Sequence, residues 1–297
     1  MFNISVIITV YNDACYLSKA LNSVESQSIK PREVIVIDDG SKDDLASEFI
    51  SRNSYSFPVF FHKKKNGGAS DARNYGLNLA CGEFVAFLDV DDFWLADNLR
   101  YKYEKLKGKP PSFSGCYGGF ISKPDGIESR FKYCERQAAP DDIGKSNGFP
   151  GGAPMYLFRK AALDAVGGFD VDLKQNEDFD LILRLIQAGF NIVGDNSFGY
   201  IRNIRDGSLT RNKNYKKSYS NTAAFLDKAE FHGYFSEDEL SNRRMLNALS
   251  CLKSCFFEIK DFRFQKKMLD DAFANIGYVR IRYYPLFFYK IVLGFFL

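Results

Sequence analysis

No two of the six cysteines, Cys15, Cys81, Cys116, Cys134, Cys251 and Cys255, share Cys-x-x-Cys spacing, and the chain holds only two histidines. The common zinc frames are therefore excluded, because Cys251 and Cys255 lie one helical turn apart with no nearby His or Cys to complete a set. In a 297-residue chain such scattered thiols read as reduced side chains in a reducing, cytoplasmic setting rather than as a disulfide frame. Basic excess is lacking too: 40 basic and 37 acidic side chains leave a net charge of +3, without the clustered surplus a nucleic-acid binder shows. No apolar run approaches the roughly 20 residues that span a bilayer. Met1 to Val10 has no basic leader, and its short β-branched run suits a buried strand. Internal repeats and low-complexity tracts are absent. So is a dinucleotide fingerprint, and the nearest approach to a P-loop, Gly144-Lys145-Ser146, has Ala139 where the first glycine belongs.

What is present is a chain 45% hydrophobic, enough to bury a full core. Its first hundred residues alternate apolar strands with amphipathic helices, the pattern of an α/β domain with a mostly parallel central sheet. Strands are expected at Ser5 to Val10, Glu33 to Asp38, Pro58 to His62 and Phe84 to Leu88. Helices are expected around Leu17 to Val24, around Leu45 to Ile50, and over Ala69 to Leu79. Between about Lys107 and Pro154 glycine and proline accumulate, and short aromatic segments such as Tyr117 to Ile121 suggest irregular strands and long loops. Helices return at Arg159 to Val166, at Glu177 to Ala188, and from about Asn214 onward, with Leu240, Met245, Leu246, Leu249 and Leu252 among the apolar positions.

The chemistry-bearing residues stand at strand exits, where open α/β sheets bind ligands. The first strand ends in Thr9, Tyr11, Asn12 and Asp13, the second in Asp38-Asp39-Gly40-Ser41, the fourth in Asp89-Val90-Asp91-Asp92. Asp13 or Ser41 alone would pass as a helix cap. Three carboxylates within four residues, however, repel one another unless a cation or ligand compensates. A hard divalent ion commonly uses one or two carboxylates plus phosphate oxygens. Asn66-Gly67-Gly68-Ala69-Ser70-Asp71-Ala72-Arg73-Asn74 is a glycine-bearing loop entering a helix, where amides favour anions and Arg73 reaches a phosphate or a carboxylate. Lys63, Lys64 and Lys65 just upstream read as a solvated surface run. Asn176-Glu177-Asp178 opens a later helix: its acids suit a helix start, or one of them takes the proton from an attacking hydroxyl. Gly167-Gly168-Phe169-Asp170 before it reads as a turn aiming that helix at the cleft.

Together, Ser5 to Asn12, Glu33 to Ser41, Asn66 to Gly76, Phe87 to Asp92 and Gly167 through Asp178 resemble the family 2 glycosyltransferases, in that family's order and spacing. The resemblance covers about residues 3 to 210 and implies the nucleotide-sugar-binding fold called GT-A. It also implies an inverting, metal-dependent hexosyl or N-acetylhexosaminyl transfer. Tyr11 would stack on the base, Asp39 accept its N–H, and Thr9 help to place it. Arg73 would lie near the nucleotide, and Asp89 would hold the ribose or sugar. Asp91 would ligate Mg²⁺ or Mn²⁺, with Asp92 as the second candidate ligand. Asp178 would be the base, with Glu177 orienting it or contacting the acceptor. Arg202 to Thr210 resembles the family's late loop over the diphosphate, though Arg205 stands where a histidine is frequent. The Gln-x-x-Arg-Trp element of processive synthases is absent, Trp94 being the only tryptophan, which implies addition of one sugar.

The expected organisation is a glycosyltransferase domain over residues 1–215, with a nucleotide-binding half (1–106) and an acceptor-binding half (107–215), then a helical region over 216–297. Tyr278 to Leu297 carries Arg280, Arg282 and Lys290, no acid, and many large apolar groups. It suits either an anionic membrane surface, on the inner face of the cell membrane, or a helix packed on the domain. The expected partners are a nucleotide-sugar donor, uridine diphosphate the favoured carrier, and a saccharide or lipid-linked saccharide acceptor of bacterial surface polysaccharide or glycolipid assembly. Two other readings compete. A nucleotidyltransferase would place a glycine- and lysine- or arginine-rich loop where Tyr11-Asn12-Asp13-Ala14-Cys15 stands. An inactive nucleotide-binding module would not need Asp39, Asp89, Asp91 and Asp178 all intact.

Overall fold

Seven consecutive residues, Ile-Ser-Val-Ile-Ile-Thr-Val, form β1 (Ile4–Val10), and only Thr9 among them is less than fully buried. A strand buried on both faces reads as a nearly continuous run rich in β-branched residues, here interrupted by Ser5, so β1 belongs at the centre of a sheet covered on both sides. The computed structural model describes residues 2–124, 129–131, 152–204, 214–255 and 262–274. After β1 come α1 (Leu17–Glu25), β2 (Glu33–Asp38), α2 (Leu45–Ser51), β3 (Val59–Lys63), α3 (Ala69–Leu79) and β4 (Phe84–Asp89). Then follow β5 (Phe93–Trp94), α4 (Asn98–Lys107), β6 (Phe113–Pro124), β7 (Ser129–Phe131) and β8 (Tyr156–Arg159). Next are α5 (Lys160–Ala165), α6 (Glu177–Gln187) and β9 (Asn191–Ile204). The chain divides into two compact units, Met1–Thr210 and Arg211–Leu297.

In the first unit the sheet runs β3-β2-β1-β4-β8-β6-β9-β5, with β7 on β6. The pairs among β1 to β4 are parallel, and antiparallel pairing begins where β8 joins β4. Register aligns the strand ends: Thr9 stands opposite both Ile37 and Asp89, and Val10 opposite Asp38. The carboxyl ends of β1, β2 and β4 are thus level, and the polar residues after them leave from one rim.

The stretch expected to be irregular begins instead with a 12-residue strand, β6, that joins β8 and β9. Its glycines, which suggest loops on sequence alone, mark close approach. A Cβ on Gly115 would sit 3.0 Å from the Phe158 ring and 3.1 Å from the Leu157 carbonyl. Glycine inside a strand often marks a place where another backbone comes near. Residues 132–151 lie outside the described residues, as do Arg205 to Thr210 of the expected diphosphate loop.

The second unit contains α7 (Tyr215–Phe231), α8 (Glu237–Cys255) and α9 (Phe262–Ala274). Phe225, Leu226, Ala229, Met245, Ala248, Met268 and Ala272 are buried there, whereas Leu246 is exposed. Among the described residues no helix is long and apolar enough to cross a membrane. The basic, apolar segment Tyr278 to Leu297 lies outside the described residues.

Candidate active site

The loops leaving β1 and β2 are tied to each other. Asn12 takes a left-handed backbone (φ 56°), a conformation that asparagine tolerates better than most residues. Its N–H donates to Ser41 Oγ at 2.8 Å, and its Oδ1 accepts from the Lys42 N–H at 3.0 Å. Ser41 in turn donates its N–H to Asp38 Oδ1 at 2.7 Å. Asp13 is the N-cap of a short 3-10 turn (Ala14–Tyr16) that leads into α1, without a side-chain cap bond, whereas Asp44 and not Ser41 is the N-cap of α2. Tyr11, next to this knot, keeps 48% of its surface exposed, which leaves a ring face accessible for stacking.

Asp39 is buried, and both its oxygens are occupied from within the chain. Oδ1 accepts from Lys64 Nζ at 2.7 Å and from the Gly67 N–H at 2.9 Å. Oδ2 accepts from the Gly68 N–H at 2.8 Å and from Asn66 Nδ2 at 3.2 Å. The amides at the start of α3, which suit an external anion on sequence grounds, hold this internal carboxylate instead. Lys64 is not a solvated surface residue: it pairs with Asp39 and Asp71, and only 14% of its side chain is exposed. The strand register places Lys63 opposite Asp38, which carries Lys64 to Asp39. We expect Asp39→Asn to lower stability by about 3 kcal/mol, because two loop amides and an ammonium lose a charged acceptor. A urea midpoint equal to that of the parent chain would refute this clasp.

From α3 the next polar side chain, Arg73, is buried and meets three acids from two distant segments. Its Nη2 donates to Asp89 Oδ1 at 3.0 Å. Its Nη1 donates to Glu177 Oε1 at 3.1 Å and to Asp178 Oδ1 at 3.2 Å. Of the phosphate and carboxylate partners that sequence leaves open, the structure places carboxylates. The Asp89-Val90-Asp91-Asp92 turn divides its acids. Asp92 is buried against β9, its Oδ1 accepting the Asn203 N–H at 2.8 Å and its Oδ2 bonded to the Tyr200 hydroxyl. Burial first, and then Asp89, push its carboxyl up to about 8. Both oxygens of Asp92 therefore fasten the turn to the sheet, which does not favour its expected share in a metal. Asp91 is half-buried and Asp89 keeps 35% of its side chain exposed.

Glycine and asparagine aim α6 at this cluster. Gly167 and Gly168 take φ values of +76° and +68°, and a Cβ on Gly168 would run into Asn74 Oδ1. Asn74, the neighbour of Arg73, binds both backbone groups of Phe169: Nδ2 donates to its carbonyl at 2.7 Å and Oδ1 accepts its N–H at 2.8 Å. Arg184 of α6 donates to the Val166 and Gly168 carbonyls and to Asp180, at 2.6, 2.7 and 2.8 Å. The turn read from Gly167 to Asp170 is thus fixed to α3 on one side and to α6 on the other. Asp178 keeps 16% of its side chain exposed. Burial raises its carboxyl to about 7; Arg73 opposes that rise, and Glu177 and Asp89 add to it. A carboxylate tuned near neutrality is what general-base work at physiological pH requires.

The structure therefore joins Arg73, Asp89, Glu177 and Asp178 by direct contact, and sets Thr9 beside Asp89 in the sheet. Asp39 sits in its own clasp with Lys64. Sequence reasoning missed Lys64, Asn74, Tyr200 and Asn203. Only Lys64 carried a usable signal, its place one residue past the strand position opposite Asp38.

The sequence profile described as Glycosyl transferase family 2 matches residues 5–166. The amylovoran biosynthesis glycosyltransferase AmsB of Erwinia amylovora is 30% identical over 208 residues, covering 64% of this chain and 65% of that protein. The chain spans less than two thirds of the length of the curated relatives it matches. In fold it resembles S. aureus TarS 1–349, solved with UDP-GlcNAc, at a TM-score of 0.54 and 20% identity over 96% of this chain and 78% of that one. It likewise resembles the mannosyltransferase PcManGT of Pyrobaculum calidifontis, solved with GDP-Man and Mn²⁺. There the TM-score is 0.60 and the identity 15%, over 99% of this chain and 80% of that one.

Proposed function

The chain belongs to glycosyl transferase family 2 and has the GT-A fold, and from that premise we propose that it moves one sugar from a nucleoside diphosphate donor to an acceptor hydroxyl with inversion. One observation carries the reading: Arg73 holds Asp178 and Asp89 on the same guanidinium, so a basic carboxylate lies beside the acids of the donor rim. Asp178 takes the proton of the acceptor hydroxyl as its oxygen attacks the anomeric carbon. The bond from that carbon to the diphosphate breaks on the opposite face, so an α-linked donor yields a β-linked product. Glu177, sharing Arg73, orients the base or meets the acceptor. Asp89 holds the ribose or sugar, and Thr9 helps to place the base against Tyr11.

A hard divalent ion fits this rim. One guanidinium stands against Asp89, Glu177 and Asp178, and Asp91 adds a further acid one residue from Val90. The described residues offer no ready cage of three or more His, Cys, Asp or Glu, so an ion here would draw its remaining oxygens from phosphate and water. Asp91 is the residue proposed to hold Mg²⁺ or Mn²⁺. When bound, the ion supplies charge neutralisation at the departing diphosphate. The PcManGT complex with Mn²⁺ supports the use of a divalent ion.

Uridine diphosphate is the proposed carrier, supported by the TarS complex with UDP-GlcNAc. Because four internal donors fill Asp39, a base N–H reaches it only if one of them yields its place, and Asp71 already offers the Lys64 ammonium a second acid. The AmsB likeness supports a place in bacterial polysaccharide biosynthesis; the proposed acceptor is a saccharide or lipid-linked saccharide met at the inner face of the membrane. A thermal-shift screen of nucleotide sugars with and without Mn²⁺ tests the whole reading. We expect a uridine diphosphate sugar to raise Tm by several degrees only when the metal is present. Stabilisation by nucleoside triphosphates alone, with pyrophosphate release, would point to nucleotidyl transfer instead.

A further inference from the structure

We propose that Arg73 is a positioning residue that ties the donor rim to the catalytic base, keeping Asp178 in its carboxylate form and in line with the reacting carbon. The proposal rests on reading Asp178 as the base. Its first support is the mount. Arg73 rises from α3, its guanidinium lies 5.4 Å from the centre of the Phe169 ring, and Asn74 binds both backbone groups of that phenylalanine. The segment that delivers Asp178 is thus fixed to the helix that delivers Arg73 by the Asn74 side chain as well as by Arg73 itself.

Charge balance is the second support. Among the described residues, the charged groups facing Asp178 are Arg73 from α3, Asp89 from the end of β4, and Glu177 on its own helix; the Ala153 N–H adds a neutral donor. Arg73 is the cation of that set. Without it a buried carboxylate would face two other acids, and burial and like charge both favour the protonated form, which cannot accept a proton. A guanidinium also offers a planar fork able to reach acids from two directions at once, which the single ammonium of lysine does not.

The test uses the full chain with Arg73→Met, Arg73→Lys and Asp178→Asn, each checked for folding by circular dichroism. With ¹³Cγ-labelled aspartate, the Asp178 signal is identified by its loss in Asp178→Asn and followed against pH in the ligand-free protein. UDP release is measured with Mn²⁺ and a mixture of UDP-glucose, UDP-galactose and UDP-GlcNAc, with water as acceptor. In Arg73→Met the Asp178 midpoint is expected to rise by at least about one pH unit. UDP release at pH 7 should fall about tenfold or more, recover in part at pH 9, and show KM nearly unchanged. Arg73→Lys should lie between the two. A folded Arg73→Met with the parent midpoint overturns the proposal. If Arg73→Met does not fold, an Arg73→Lys protein of lower Tm but parental midpoint and kcat overturns it. Unchanged turnover in Asp178→Asn would instead remove the base assignment, a result separable from failure of the Arg73 variants alone.

Discussion

Asp178→Asn is expected to cut sugar transfer roughly 100-fold or more while leaving nucleotide affinity within about threefold. The asymmetry follows from where the residue sits. Asp178 reaches Arg73 from the start of α6, whereas Tyr11 and Asp39, the positions proposed to stack on and read the base, leave β1 and β2. Asparagine preserves the shape and can still accept a bond from Arg73, but it takes no proton from a hydroxyl. The pH dependence carries the same signature. With its carboxyl raised to about 7, Asp178 is ionised above neutrality and protonated below it. Only the ionised form works as a base, so turnover in the parent chain should fall about tenfold per pH unit below 7 and level off above it. The residual turnover of Asp178→Asn should lack that acid limb. Transfer retained at near-parental rate, or an acid limb that persists in the variant, would assign the proton to another group.

The parallel half of the fold and the members of its site were legible for one physical reason. Strands β1, β2 and β4 are buried on both faces and read as unbroken apolar runs, and their polar exits stand out at once. The turn at Gly167-Gly168 was readable too, because only backbones at positive φ favour paired glycines there. Beyond β4 the signal failed. Strands β6 and β9 carry glycines at 115, 118, 119, 194 and 199, and their pairing shifts register near Gly115 and Gly119, so neither shows clean alternation. Arg73 illustrates the limit at the site. Its chemistry allows phosphate or carboxylate equally, and its carboxylate partners are brought to it by a tertiary contact, α3 against the segment before α6, more than ninety residues away in sequence. Lys64 was hidden for a similar reason: three lysines in a row resemble a solvated surface until strand register sets one of them against a buried acid.

Asp91→Ala should abolish most of the metal-dependent part of donor binding and leave the metal-independent part alone. Three acids crowd the end of β4 and the turn after it: Asp92 gives both oxygens to β9, and Asp89 gives one to Arg73. Removing Asp92 would therefore be expected to loosen the turn, lowering Tm, before it changed any affinity for a cation. Removing Asp91 should act on the affinity for a cation directly. An ion shared with a diphosphate and held by one protein carboxylate loses its only protein anchor when that carboxylate goes. Titration of Mn²⁺ into protein with UDP then separates the two acids. In the parent chain UDP should bind at least about tenfold more tightly with Mn²⁺ than with chelator, a difference of about 1.4 kcal/mol. Asp91→Ala should bring the two affinities close together. Asp92→Asn should keep the metal effect and lose stability. If Asp92→Asn erased the metal effect and Asp91→Ala kept it, the ion would belong to the acid fastened on β9, and the division of labour within the turn would be reversed.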